Sequence, residues 1–426
     1  MHAKAGEKII PALTPPASGA CSCPGSAAAS VTSVAPEEGG DTAAYAVFAR
    51  ALLAWFKENR RDLPWRRTYT PYHVWVSEIM LQQTQMERGV AYFNRWMERF
   101  PTLASVAKAD IDSVQKAWEG LGYYSRAKNL HATAKHILHS LKGEFPHSAK
   151  ELEKLPGIGE YTAGAIASIA FNEAVPAVDA NVERVFARVF DVAMPCKSPV
   201  AAGFIRNASE LCMACGTPRE WNQAVMEFGA LVCKKKPLCE ACPVQGSCQA
   251  RRLGIIHERP LPGKRVAATS LQVVTGVLAH GGRIFLQRRL NTGVWAGLWE
   301  FPGGRLEQGE GPEQAIVREF LEETAYPVRV EETLGVVTHA YTRYRITLTC
   351  FFCTLPNSAL CLPEPVLTAA SEYRWVLPQE LDNYALPAAH RKLADMWAGR
   401  IADFAGKTGE ISASSCTATQ NHASCL

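Results

Sequence analysis

No run in this sequence reaches the roughly 18 consecutive apolar residues of a membrane-spanning helix, so no membrane partner is expected. Lys4 and Lys8 sit near the N-terminus, but only the brief "IIPAL" follows them. That is too short for the apolar core of a secretory leader, and the chain is expected in the cytoplasm. Neither sign of charge is in great excess: a formal net charge of +4 over 426 residues is only a weak pointer to nucleic acid. A regular disulfide framework is missing as well. Fourteen cysteines in a reducing compartment favour a metal site plus scattered buried thiols. A chain this long outgrows one core, so two or three domains are expected.

Apolar periodicity is absent from residues 1–42, which are rich in Ala, Ser, Pro and Gly, and they are expected as a disordered arm. Residues 404–426 are similar and are expected as a disordered tail. From 43 to 232 the pattern is helical throughout. "YAVFARALLAWFKE" puts Phe48, Leu52, Leu53 and Phe56 on one helix face. Further helices are expected near 74–90, 110–118, 125–141, 160–171, 181–191 and 219–231. After a basic, proline-containing linker at 250–269, residues 270–403 alternate in the β manner in "LQVVTGVLA", "RIFLQRR" and "RYRITLTCFFCTL". Helices near 312–323 and 387–398 interrupt them. The reading is multidomain, an all-α half followed by an α+β half.

Cys233, Cys239, Cys242 and Cys248 close the helical half, in a loop spanning 233–249, at intervals of five, two and five residues. Four thiolates so close suit one metal centre, zinc or an iron–sulfur cluster. The pairs Cys212–Cys215 and Cys350–Cys353 lie in helix and strand patterns and read as buried thiols.

Several motifs then agree in order: "LPWR" (63–66), "PYHVWVSEIMLQQTQ" (71–85), "GLGYYSRAKNL" (120–130), "LPGIGEYTAGAIAS" (155–168), "DANVERV" (179–185), "NQAVMEFGA" (222–230) and the cysteine loop. Together they resemble the helix–hairpin–helix DNA glycosylases of the endonuclease III-like superfamily. Within it they are similar to the MutY-type adenine glycosylases. The resemblance implies a [4Fe–4S] cluster on the four cysteines, although the first cysteine interval is one residue shorter than in the family. It also implies double-stranded DNA carrying adenine opposite 8-oxoguanine or guanine as substrate, and a protein acting as a monomer.

An enzyme that works on a base must swing it out of the stack. Breaking the N-glycosidic bond then calls for an acid on the base and a negative group facing the cationic sugar. Glu78 sits in an otherwise apolar helix pattern, where burial would raise its pKa; the resemblance makes it the acid, and later the base that activates water. Asp179 reads either as the N-cap of the next helix or, by resemblance, as the group that stabilises the sugar, with Asn181 orienting water or Asp179. Tyr161 reads either as a core aromatic or as the occupant of the place where the lyase branch carries a Schiff-base lysine. A tyrosine cannot form that imine; it is expected to donate to Asp179, and the enzyme to be monofunctional. By resemblance Trp65, Arg66, Gln223 and Glu227 line the adenine pocket. Gln83 and Thr84 touch the opposite base, and Tyr123 wedges into the stack. Gly157 and Gly159 shape a hairpin whose N–H groups hold a phosphate.

In the second half, "GRLEQGEGPEQAIVREFLEETAY" follows the Nudix pattern at Gly304, Glu310, Arg318, Glu319, Glu322 and Glu323, and departs from it at Ala325. The box is either an inherited helix without chemistry or a residual Mg²⁺ site. By resemblance this domain recognises 8-oxoguanine. Tyr341, Thr342 and Arg343 stand where the family carries a Phe-Ser-His turn. The rival reading is a nucleotide pyrophosphohydrolase on a DNA-binding helical domain.

Overall fold

The computed structural model of the chain describes residues 42–263, 267–341, 343–356 and 362–420. The expected N-terminal arm and Thr342 lie outside these residues, as do the side chains of Tyr341 and of 410–420. Twelve helices build the first half: α1 (Thr42–Asn59), α2 (Pro71–Leu81), α3 (Met86–Arg99), α4 (Leu103–Lys108), α5 (Ile111–Trp118), α6 (Ser125–Ser140), α7 (Ala149–Leu152), α8 (Glu160–Phe171), α9 (Ala180–Val189), α10 (Pro199–Met213), α11 (Pro218–Leu231) and α12 (Gln249–Arg252). The starts of α2, α10 and α11 share one device. A Thr or Ser side chain accepts a backbone N–H of the first turn, and a proline with no N–H to satisfy follows it.

The helix expected over 74–90 is two helices. α2 stops at Leu81, Gln83 takes a left-handed φ of 57°, and α3 starts at Met86. The polar Gln-Gln-Thr-Gln run has no apolar side chain to hold a continuous helix against the core. Arg126 takes up the carbonyls of Ile79 and Gln82, each at 2.7 Å.

Two apolar cores share the helical half. One gathers Trp75, Trp96, Trp118 and Ile166, and draws on α2, α3, α5, α6 and α8. The other gathers Phe48, Phe186, Trp221 and Phe228 from α1, α9 and α11. Met226 packs against both, so the side chains around it lie on the seam between the two cores.

The second half holds β1 (Thr269–His280), β2 (Arg283–Arg289), β3 (Trp299–Glu300), β4 (Arg329–Tyr341), β5 (Tyr344–Thr354) and β6 (Ala370–Val376), with helices α13 (Pro312–Thr324), α14 (Ala388–Met396) and α15 (Ala398–Gln420). The sheet runs β3-β2-β1-β5-β4, with β6 also on β2; only the β1–β5 pairing is parallel. Apolar clusters fill both faces, one with α13 and the other with α14 and α15.

Two boundaries differ from expectation. The tail expected from 404 begins inside α15, where Ile401 and Ala405 are fully buried and Phe404 stacks on Phe352 with ring centroids 4.2 Å apart. The linker expected from 250 is docked where it starts: Arg259 pairs with Asp191 at 2.7 Å, and its carbonyl accepts from Arg188. The halves are joined through apolar and polar contacts alike. Leu298 and Ala385 of the second belong to the first half's core, and Arg288 pairs with Asp112 at 2.6 Å.

Candidate active site

A cavity of about 610 Å³ opens on the seam. Each of its walls is delivered by a different element. α2 presents Glu78, α8 presents Tyr161, the start of α9 presents Asp179 and Asn181, and α11 presents Gln223 and Glu227. The short turn at 64–66 adds Trp65 and Arg66, and Gln83 and Thr84 come from the α2–α3 break. Residues more than 150 positions apart therefore meet in one place, all of them proposed from the sequence.

Glu78 is buried, and its carboxyl accepts a hydrogen bond from the Tyr161 hydroxyl at 2.8 Å. Burial pushes its pKa up to about 7, with the charge of Asp179 adding to the rise and Tyr161 and Arg66 working against it. A carboxyl so placed holds a proton near neutrality and can release it to a bound base. Tyr161 does not donate to Asp179 as expected. Its first-turn position on α8 aims it at α2, on which α8 packs, and its hydroxyl reaches Glu78 instead.

Asp179 is the N-cap of α9 and also lines the cavity. It accepts from the Asn181 N–H at 2.9 Å, the Val182 N–H at 2.8 Å and the Asn181 side-chain amide at 2.6 Å. Burial raises its pKa and these three donors oppose the rise. Two carboxyls with unequal donor sets can divide the roles of acid and anion. Asn181 in turn accepts from Arg184 at 2.7 Å, and Arg184 donates to the Cys233 carbonyl at 2.8 Å. A chain of two side chains thus joins Asp179 to the cysteine loop.

The other wall is ionic. Glu227, only 2% exposed, accepts from Arg61 at 2.8 Å and from Arg66 at 3.0 Å. Burial acts to raise its pKa, but the two guanidiniums win and hold it down to about 2. Arg66 also donates to Gln223 at 2.9 Å. Trp65 packs edge-on against Phe93 behind this network, with centroids 5.1 Å apart. Arg61 was not singled out from the sequence. Its only signal is a second cation just before "LPWR", and a doubled arginine is more often a solvated one. Among the described residues, no lysine lines the cavity.

Tyr123, Gly157 and Gly159 lie outside the cavity lining. Gly157 has φ +75°, and a Cβ there would meet the Asn129 side chain at 2.5 Å, so the hairpin requires glycine at that point. Gly159, in extended conformation with open space around it, is the N-cap of α8 and makes no such demand. Tyr123 has φ +48°, in a loop where Gly120 and Gly122 are also left-handed.

The four cysteines line one small, mainly apolar hollow with Phe228, Val232, Leu238, Val244 and Ile256. Arg188 reaches into the loop, 3.5 Å from the Cys233 sulfur, and donates to the Lys234 carbonyl at 2.6 Å. Among the described residues, no three His, Cys, Asp or Glu side chains converge closely enough for a single metal ion. Of the paired cysteines, Cys212, Cys350 and Cys353 are buried and Cys215 is partly so, as expected of structural thiols.

In the second half, the acids of the Nudix pattern are held by its own arginine. Arg318 pairs with Glu310 at 2.8 Å, Glu319 at 3.0 Å and Glu322 at 3.3 Å. Glu323 turns inward to Gln287 and the Gly303 N–H, and burial pushes it up to about 7. Arg343 is exposed at the β4–β5 turn, with its guanidinium over the Tyr344 ring at 5.1 Å. Thr342 lies outside the described residues, and nothing is assigned to its hydroxyl.

Residues 76–201 match the HhH-GPD superfamily base excision DNA repair protein family, and residues 273–396 match the NUDIX domain family. The chain is similar to the adenine DNA glycosylase of Homo sapiens, 32% identical over 84% of this chain and 76% of that one. It is 33% identical to the adenine DNA glycosylase of Rattus norvegicus, over 83% of this chain and 78% of the other. Among solved structures, a thermostable thymine-DNA glycosylase covers 50% of this chain and 98% of its own, at 27% identity and a TM-score of 0.46.

Proposed function

The chain belongs to the adenine DNA glycosylases, and we propose that it removes adenine paired with 8-oxoguanine or guanine in duplex DNA, leaving an abasic site. The observation that carries this reading is the pair Glu78 and Asp179. Glu78 is buried and Asp179 partly so, both line one cavity of about 610 Å³, and their donor sets are unequal. In the proposed step the protonated Glu78 gives its proton to N7 of the extruded adenine. The C–N bond breaks with its electron pair on the base, and Asp179 faces the positive charge left on the sugar. Glu78, now a carboxylate, takes a proton from water as the water oxygen bonds to the anomeric carbon. Arg66 and Gln223, fixed by Glu227 and Arg61, meet the edge of the base. With no lysine in the lining, no Schiff base forms and the strand stays whole.

Cys233, Cys239, Cys242 and Cys248 would hold a [4Fe–4S] cluster through their thiolates. When bound, the cluster supplies iron–sulfur bonds that close the loop on which Arg184 and Arg188 rest. The proposal takes the protein as a monomer acting on the chromosome in the cytoplasm. It takes Gln83, Thr84 and Tyr123 as the groups at the opened base pair, and the turn at Tyr341, Thr342 and Arg343 as the reader of the oxidised base. The Nudix box is taken as an inherited helix, its acids being engaged by Arg318.

The test is single-turnover adenine release from duplexes pairing A with 8-oxoguanine, G or C, each with and without a later alkali step. Release opposite 8-oxoguanine and G, with strand breaks only after alkali, is the expected result. No release from any duplex overturns the assignment and turns attention to nucleotides with Mg²⁺.

A further inference from the structure

The loop carrying Tyr123 is fastened at both ends, and one of its anchors is the second domain. Its carbonyls are taken in turn by side chains: Glu119 by Tyr92 at 2.7 Å, Leu121 by Arg126 at 3.2 Å, and Gly122 by both Arg126 at 3.1 Å and Trp118 at 3.2 Å. The same Arg126 holds the carbonyls that end α2, just before Gln83. At the start of the loop, the Glu119 carboxylate reaches into the second domain. It accepts from the Arg391 guanidinium at 2.9 Å and from the Leu386 N–H at 2.9 Å, with Lys116 on its second oxygen. The Tyr124 hydroxyl, at the loop's other end, donates to the Leu386 carbonyl at 3.1 Å. Arg391 is itself fixed by the carbonyls of Leu381 and Tyr384. Glu119 is 12% and Arg391 15% exposed, so water screens this pair only partly.

We propose that Glu119 is a positioning residue that carries the second domain's grip on DNA to the loop of Tyr123. This rests on the reading above, in which the second domain meets the oxidised base and Tyr123 enters the stack. Gly120 and Gly122 take left-handed φ freely, but Tyr123 at φ +48° is a non-glycine residue in that region, a local cost that external anchors help to hold in place. Removing the Glu119 anchor leaves the loop tied to the second domain at its Tyr124 end alone among the contacts described above, while Glu78, Asp179 and the adenine pocket stay untouched. The second domain then holds its side of the DNA without helping Tyr123 to insert, and preference for the oxidised base falls.

Glu119→Ala, Arg391→Ala and the double variant are compared with the full wild-type chain in two measurements. The first is the ratio of single-turnover release rates opposite 8-oxoguanine and opposite G. The second is fluorescence of a 2-aminopurine beside the opposite base, on a duplex with a non-cleavable adenosine analogue and saturating protein. The expected result is a ratio lowered about five-fold or more by either single variant, no further loss in the double variant, and weaker 2-aminopurine unstacking in all three. An unchanged ratio with full unstacking, or losses that simply add, overturns the proposal. If Glu119→Ala does not fold, Glu119→Gln, which keeps the shape and drops the charge, is judged by the same outcomes. A wild type that releases no adenine refutes the functional reading instead. A wild type that releases adenine beside variants that behave like it refutes only the role of Glu119.

Discussion

Two buried glutamates face one cavity, and their acidities differ by about five pKa units. On the α2 wall Glu78 is held at about 7; on the α11 wall Glu227 is held at about 2. Burial pushes both upward, so burial does not separate them. What separates them is the partner. Glu227 has two guanidiniums in direct contact, whereas Glu78 has one phenol hydroxyl and feels Arg66 only through space. A buried carboxyl becomes a proton donor when it is denied a cation, and a structural anion when it is given two.

The largest effect is expected where the comparison is broken at its reactive side. Glu78→Gln keeps the shape and removes the proton, so single-turnover adenine release should fall by about a thousand-fold, with the fold intact by circular dichroism. Glu227→Gln breaks the other side. It leaves Arg61 and Arg66 short of a counter-charge, and should cost about 3 kcal/mol of stability in urea titration. Next comes Tyr161→Phe, which removes the donor that favours the Glu78 carboxylate. The pKa of Glu78 should rise, so the fall in rate as the acid deprotonates, near pH 7 in wild type, should move to higher pH. The maximal rate should drop by about ten-fold or less.

The smallest effect sharpens the comparison through stability. Glu78 has its folded pKa raised from 4.5 to about 7, so its contribution is fully present below 4.5 and is lost as pH rises to 7. Glu227, depressed from 4.5 to about 2, contributes above 4.5, and its contribution is lost as pH falls toward 2. Urea midpoints across pH should therefore decline on both limbs. Glu78→Gln should flatten the alkaline limb and Glu227→Gln the acid limb. Glu323 is also raised to about 7 and shares the alkaline limb, so Glu78→Gln should remove only part of that decline.

Where residues carry a periodic or spaced signal, the site was legible before any coordinates. Glu78, Tyr161, Asp179, Asn181, Gln223 and Glu227 line the cavity, because each belongs to a motif whose neighbours fix its helix and face, whereas Tyr123 lies outside the lining. The partner of Tyr161 was not legible. Whether its hydroxyl meets Glu78 or Asp179 depends on how α8 rolls on α2, and no local pattern records that. Arg61 was missed for a related reason: its meaning comes from Glu227, 166 positions away. In the fold, β1, β2 and β5 were readable from alternation. β4 was not, since register shifts near Glu332 and Gly335 break its period of two. The start of α15 was hidden by a composition of Ala and Gly; what holds it is Phe404 on Phe352, a contact between distant segments. The break at Gln83 was obscured because Gln82 and Gln85, like Met80 and Met86 beyond them, are good helix formers.

Leu298 and Ala385 sit in the core of the first half although they belong to the second. A truncation before residue 298 would therefore do more than delete the NUDIX-type domain. It would open a hole in the first half's core, strip Glu119 of Arg391, and leave the remaining fragment prone to aggregation or proteolysis. A premature stop in this gene should then register first as lost protein, and only second as lost discrimination.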